Sequence, residues 1–288
     1  MSNVRQRSPY SHARRWLRTQ AYRLLTDLVG DNDGRVLLPV LQGPAKGLRF
    51  RLDLVTKEES GYFLGHYDLR ILRQVVQICR QGWCVWDCGG YLGFYTAFFA
   101  RCVGSGGCVV VFEADPRNMA RIKGNMALNG FDHIRFVDAA IGSPCGETDF
   151  ILSDNTNSHI PGTYVGVTPE DYSRIEGVAR IVRVSCLSLD QACFERRLPT
   201  PQLIKIDIDG AEKMALPHAE QLAREVKPLI VLELHNPECD AAAWEFAQRV
   251  GYTLRSLDTG EPVRNRGEVR GTLLCAPADQ PQPLVSPA

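Results

Sequence analysis

Nowhere in these 288 residues do apolar side chains run unbroken for the roughly 20 positions that cross a bilayer. A helical membrane span is therefore not expected. The N-terminus also lacks the apolar block of a signal peptide, which makes a cytoplasmic location the expectation. Net charge is missing too: 33 Lys plus Arg balance 33 Asp plus Glu, leaving no global field to recruit nucleic acid. The ten cysteines contain no C-x-x-C pair. Zinc sites need closely spaced ligands and disulfide scaffolds are short chains. The expectation is of small buried hydrophobes in a reducing compartment. Also absent are the G-x-G-x-x-G of dinucleotide folds and an Asn-Pro-Pro-Tyr motif for a flipped base. A nicotinamide oxidoreductase and a nucleic-acid partner are not expected.

What remains is an ordinary globular composition, 44% apolar and 23% charged, in a chain long enough for a sizeable core. Charge is uneven only at the start. Arg5, Arg7, Arg14, Arg15, Arg18 and Arg23 occur with no acid among them, interleaved with Trp16, Leu17, Tyr22, Leu24 and Leu25. This segment reads either as a basic amphipathic stretch making peripheral contact with an anionic membrane or as a frayed end followed by a packed helix.

Leu37 to Leu54 reads as a small hairpin broken by Gly43-Pro44 and Gly47, and Asp68 to Arg80 as a helix ended by Gly82. Then strands and helices alternate: strand Cys84–Asp87, helix Phe94–Val103, strand Val109–Glu113, helix Pro116–Asn129, strand Ile134–Asp138. Such alternation predicts an α/β fold, a parallel sheet covered by helices on both faces. From Gly142 to Arg180 the pattern loosens into loop chemistry. So long a stretch is expected to be either a functional lid or disordered, and the lid-like Ser153–Arg180 is the segment expected to choose the acceptor. Order returns with strand Ile181–Val184, a helix near Leu189–Arg196, strand Leu203–Ile208 and a helix after Gly210. Strand Leu229–Leu234, helix Ala241–Val250 and an antiparallel edge pair, Thr253–Leu257 with Thr272–Cys275, complete the pattern. The expected organisation is an N-terminal basic, helical and hairpin extension over 1–82, one catalytic domain over 83–276, and a disordered Pro- and Gln-rich tail over 277–288.

Chemistry is expected at the carboxyl ends of the strands. Asp87 precedes Gly89, Gly90 and Gly93, a strand–turn–helix arrangement that frees backbone N–H groups for a ligand. The acid would repel a pyrophosphate and suits a cofactor with a cationic tail. Glu113, about 25 residues further on, is placed to accept hydrogen bonds from ribose hydroxyls. The alternative is a solvated cap for the next helix. Asp138 and Ala139 end the third strand, where small side chains leave room for a flat ring; a plain strand end is the other reading. Asp207 and Asp209 share one strand face, and Lys205 between apolar neighbours should pair with a carboxylate. Glu212 opens the following helix. Glu233 and His235 end the fifth strand, and His235 is a candidate proton acceptor, with Asp207 the second.

These residues resemble the FkbM-like methyltransferases that depend on S-adenosylmethionine (SAM). The resemblance rests on Asp87-Cys-Gly-Gly-Tyr-Leu-Gly-Phe-Tyr95, Phe112-Glu113-Ala-Asp-Pro116, Asn125 with Asn129-Gly130, Ala139-Ala-Ile-Gly142, Ser188-Leu-Asp190, Ile204-Lys-Ile-Asp-Ile-Asp-Gly-Ala-Glu212 and Leu232-Glu-Leu-His235. It implies a Rossmann-like, mostly parallel sheet of seven strands in the order 3-2-1-4-5-7-6. It also implies SAM contacts at the Asp87 turn (Gly89, Gly93), Glu113, Asp138 and Ala139, and O-methylation of a sugar or natural-product hydroxyl. The chain departs from the family's usual pattern at Gly90, Tyr91 and Asp209, where Ala, Asn and Glu are commoner. No metal ligand set is assigned. A magnesium ion on Asp207, Asp209 and Glu233 is an alternative for activating the acceptor, and a methyltransferase-like binding module without catalysis is the rival function.

Overall fold

A computed structural model describes residues 20, 30–31, 33–143, 145–153, 158–161, 163 and 178–280. The arginine-rich start up to Arg23, most of the expected lid and the end of the tail lie outside the described residues. The chain divides into two compact units, Met1–Leu69 and Arg70–Ala288. The boundary thus falls just after the first residue of the helix Leu69–Ile78, which the sequence reading placed with the extension.

In the first unit, β1 (Val36–Pro39) and β2 (Arg49–Leu52) form the expected antiparallel hairpin, with Val36 opposite Leu52. Phe50 and Leu52 point inward and their neighbours outward, the alternation of a sheet with one covered face. Helix α1 (Lys57–Leu64) starts where the Thr56 hydroxyl accepts the Glu59 N–H.

The second unit takes up α2 (Leu69–Ile78) and then a seven-stranded sheet. Its strands are β3 (Cys84–Cys88), β4 (Cys108–Phe112), β5 (Ile134–Val137), β9 (Leu203–Ile206), β10 (Leu229–Glu233), β11 (Tyr252–Ser256) and β12 (Thr272–Pro277). They lie in the order β11-β12-β10-β9-β3-β4-β5. Numbered by appearance within the sheet and read from β5, that is 3-2-1-4-5-7-6. Only β12 runs antiparallel to its neighbours. β3 and β9 are buried at every residue, which is why they read as continuous apolar runs.

Helices α3 (Phe94–Val103) and α4 (Pro116–Leu128) follow the first two strands. α4 begins at Asp115, whose carboxylate accepts the Arg117 N–H. Beyond β9 the expected helix is broken into α6 (Glu212–Ala215), a 3-10 turn over Leu216–His218, and α7 (Glu220–Glu225). α8 (Pro237–Val250) starts earlier than expected because Asn236 caps it and Pro237 fits its first turn.

The expected loop after Gly142 is partly sheet. β6 (Ala140–Ile141), β7 (Gly146–Ser153) and β8 (Val178–Leu187) form a separate three-stranded sheet in the order β6-β8-β7, and α5 (Leu189–Phe194) follows it. Phe150 and Leu152 bury there with Ala140, Ile160 and Ala211. Glu147-Thr148-Asp149 looked like loop because its one inward residue, Thr148, is polar. Asp149 faces out and pairs with Arg183 on β8 at 3.1 Å. All ten cysteines are free, and seven are buried as small core residues. Among the described residues no helix is long and apolar enough to cross a membrane.

Candidate active site

The glycine turn after β3 is built by its neighbours. Gly89 has φ +85°, and a Cβ there would stand 1.9 Å from the Asp207 carbonyl oxygen. Gly89 is thus required by the close approach of two strand ends. A Cβ on Gly90 would meet Val111 Cγ2 at 2.4 Å and Ile122 Cδ1 at 2.7 Å, so the departure from Ala is matched by bulk on β4 and α4. Tyr91 takes a left-handed φ of 50°, a conformation that Asn tolerates better than an aromatic residue. Asn125 Nδ2 ties α4 to the turn by donating to the Leu92 carbonyl at 2.9 Å. Gly93, at φ +82°, opens α3 with its space closed by Met126 and Ile122.

Glu113 lies just past the end of β4 and is buried at 8% exposure. Its Oε2 accepts the Tyr91 N–H and its Oε1 the Asp115 N–H, each at 2.8 Å. The helix cap is Asp115, so Glu113 is not the solvated cap. Burial drives its carboxyl from the ordinary 4.5 up to about 8, against the two backbone hydrogen bonds. A carboxyl raised on folding makes stability fall as pH rises through that window. The folded chain is therefore expected to lose up to about 1.4 kcal/mol per pH unit between about 4.5 and 8 from this group. Glu113→Gln should lack that slope. Denaturant unfolding of both proteins at pH 5.5 and 8 checks this; parallel losses would refute it.

Asp87 is wholly buried. Its Oδ2 accepts the Thr96 hydroxyl at 2.6 Å, and its Oδ1, 3.9 Å from Lys205 Nζ, has no hydrogen-bond donor. Burial raises its pKa, and the Lys205 charge works the other way. The carboxylate thus braces the turn from beneath; it does not face solvent. Lys205 pairs as expected: Nζ donates to Asp207 Oδ2 at 2.8 Å and sits 4.6 Å from the centre of the Tyr95 ring.

β9 ends at Ile206, so Asp207 and Asp209 stand in the turn beyond it, not on the strand face expected. Asp209 has φ 51°. Burial, then the Asp207 charge, pushes its carboxyl up to about 6. His235 lies just past β10. Its Nδ1 is 3.0 Å from Glu212 Oε1, and its Nε2 is 3.5 Å from Asp207 Oδ1 and 3.9 Å from Asp209 Oδ1. Burial opposes charge on this ring, but the Glu212 hydrogen bond and the surrounding carboxylates prevail and raise it to about 9. Glu212 is wholly buried and also accepts the Ile208 N–H at 3.0 Å, more than a helix cap requires.

Lys205 thus joins Asp87 to Asp207, Asp207 approaches His235, and Glu113 meets the same glycine turn at Tyr91. Asp138 stands apart: its side chain is 66% exposed and 3.6 Å from Lys123 Nζ. Ala139 is buried in the main core. Thr96 escaped sequence reasoning and Tyr95 entered only as the end of the first motif; they sit on α3 in an apolar stretch that gives no sign of their partners.

The family described as Methyltransferase FkbM domain matches residues 87–256. No curated protein matches the chain. Among solved structures it is similar to methyltransferase FkbM from Methylobacillus flagellatus KT, at 14% identity and a TM-score of 0.43, over 92% of this chain and 60% of that one. It is similar to a SAM-dependent O-methyltransferase from Thermotoga maritima at 9% identity and a TM-score of 0.41, over 75% of this chain and 67% of that one. It is also similar to an O-methyltransferase from Bacillus cereus in complex with SAH, at 16% identity and a TM-score of 0.39, over 72% and 79%.

Proposed function

Because this chain belongs to the FkbM family of methyltransferases, we propose that it transfers the methyl group of SAM to a hydroxyl oxygen of a sugar or other small molecule. The observation that carries this reading is the junction of two strand ends: Lys205 bonds Asp207 and approaches Asp87, while Gly89 packs on the Asp207 carbonyl. A cofactor turn and a carboxylate–imidazole cluster therefore share one edge of the parallel sheet, where such sheets keep their ligands.

The residues suit SAM. Asp87, Asp207, Asp209, Glu212 and Glu233 outnumber Lys205 and His235, which favours a ligand carrying a sulfonium and an ammonium. Each Glu113 oxygen accepts one backbone N–H, and a carboxyl has lone pairs for more, enough for a ribose diol. SAM supplies an activated methyl. In the transfer the S–CH3 bond would break as the O–CH3 bond forms, sulfur would keep the electron pair, and the Asp207 cluster would take the hydroxyl proton. Most of the enzyme's task is alignment, worth up to roughly 7–11 kcal/mol in favourable cases.

Calorimetric titration of the full chain with SAM, with NADH for comparison, tests the cofactor assignment. Micromolar binding of SAM alone is expected. No heat with SAM, from a protein that unfolds cooperatively, would favour the binding-module alternative.

A further inference from the structure

Asp207, Glu233 and His235 each bring one ligand atom to within 4.8 Å of the other two. Atoms bound to a single ion at about 2.0–2.2 Å lie at most about 4.4 Å apart, so small side-chain rotations would close this set around one cation. We propose that Asp207, Glu233 and His235 hold a divalent first-row transition metal, with Asp209 beside them and Glu212 orienting the imidazole.

The supporting scaffold is of the kind metal-binding histidines use. Glu212, wholly buried and directed at His235, holds Nδ1 at 3.0 Å, which leaves Nε2 facing Asp207 and Asp209. A carboxylate on the far nitrogen of a ligating imidazole fixes its ring and strengthens its donor, and an ion arriving at Nε2 displaces the proton there. Glu212 Oε2 is itself buried without a hydrogen-bond donor. The charge of this carboxylate is thus incompletely met, and a nearby cation would offset it. Lys205 bonds Asp207 through Oδ2, while Oδ1 is the oxygen 3.5 Å from His235 Nε2. Three ligands come from the ends of two adjacent parallel strands, so the sheet fixes their spacing.

The donor set decides the kind of ion. One imidazole with two carboxylates suits manganese, iron, cobalt or zinc, whereas magnesium prefers oxygen and water alone. The role of the ion rests on the methyl-transfer reading: a bound cation would polarise the acceptor hydroxyl and lower its pKa.

The test is a titration of the chelator-stripped full chain with Mn2+ alone, following the paramagnetic resonance signal of free Mn2+. One equivalent should bind and raise Tm. Glu233→Gln and His235→Gln should each weaken binding at least 10-fold, and Glu212→Gln about 10–100-fold through its effect on His235. Absence of binding to the folded wild type would overturn the proposal. So would Mn2+ affinity unchanged in Glu233→Gln, provided its cooperative unfolding shows that it is folded. A SAM titration of the same stripped protein separates the two readings. SAM binding without Mn2+ binding removes only the metal, and Mn2+ binding without SAM binding removes only the methyl transfer.

Discussion

Lys205→Met should cost the fold about 3–5 kcal/mol, the range for breaking a buried ion pair by removing one partner. The Lys205 side chain is 4% exposed, and Asp87 beside it is fully buried. Burial opposes charge on Lys205, yet the Asp207 and Asp87 carboxylates hold it well above the usual lysine range. The ammonium is therefore charged, and it meets three things at once: Asp207 Oδ2 at 2.8 Å, Asp87 Oδ1 at 3.9 Å and the Tyr95 ring at 4.6 Å. Methionine keeps the stem and its packing but leaves two carboxylates facing each other. Asp87 retains only the Thr96 hydroxyl. Urea denaturation measures the loss, and a second variant separates charge from shape. Lys205→Met combined with Asp87→Asn should recover part of the stability, since the orphaned charge is then removed. A single-variant cost under about 1 kcal/mol, the size of an exposed pair, would mean that water reaches Lys205. Because the same ammonium ties the glycine turn to the Asp207 end, SAM affinity should fall with it.

That the sequence pointed to Lys205 at all follows from its surroundings. A lysine between Ile204 and Ile206 in an all-buried strand has to find an anion. The parallel strands were legible for the same reason, since burial on both faces leaves continuous apolar runs. Strand ends were read one or two residues too long wherever a charged residue followed, at Glu113, Asp138 and Asp207–Ile208. The hydrophobic signal stops there, but the direction of the chain is set by contacts that are distant in sequence. β7 was missed because only part of it is apolar, and its register depends on β8, more than 25 residues away. At the candidate site the residue types were legible and the partners each side chain finds were not. Asp87 was read as facing a ligand, but Thr96 and Lys205 take it inward. His235 was read as a candidate base, and the carboxylates that raise its pKa, Glu212, Asp207 and Asp209, approach it from other segments. Gly90 departed from its family for a reason that sits on Val111 and Ile122.

Gly89→Ala is expected to have the largest effect of any single methyl added to this chain. The new Cβ would lie 1.9 Å from the Asp207 carbonyl oxygen, 3.0 Å from its carbon and 3.3 Å from Ile208 Cγ2. The obstacle is backbone, and that backbone is fixed: Asp207 N–H donates to the Cys88 carbonyl at 3.1 Å, and Gly89 N–H to that of Phe112 at 3.0 Å. A left-handed φ of +85° adds about 1–2 kcal/mol for any L side chain. Relief requires the turn to leave β9, which would carry Tyr91 away from Glu113 and loosen the hold on Asp87. A loss beyond about 4 kcal/mol, the exceptional tail for point variants, should appear in urea denaturation, together with loss of SAM binding. The neighbouring glycine gives the contrast. A methyl on Gly90 collides with the ends of the Val111 and Ile122 side chains, so Gly90→Ala should be rescued by Val111→Ala. No trimmed side chain can rescue Gly89→Ala, because the clash is with a main-chain oxygen. If Gly89→Ala folded with near-normal stability and bound SAM, the two strand ends would have to be further apart than they stand here. The glycine turn and the Asp207 cluster would then not be locked together at one sheet edge.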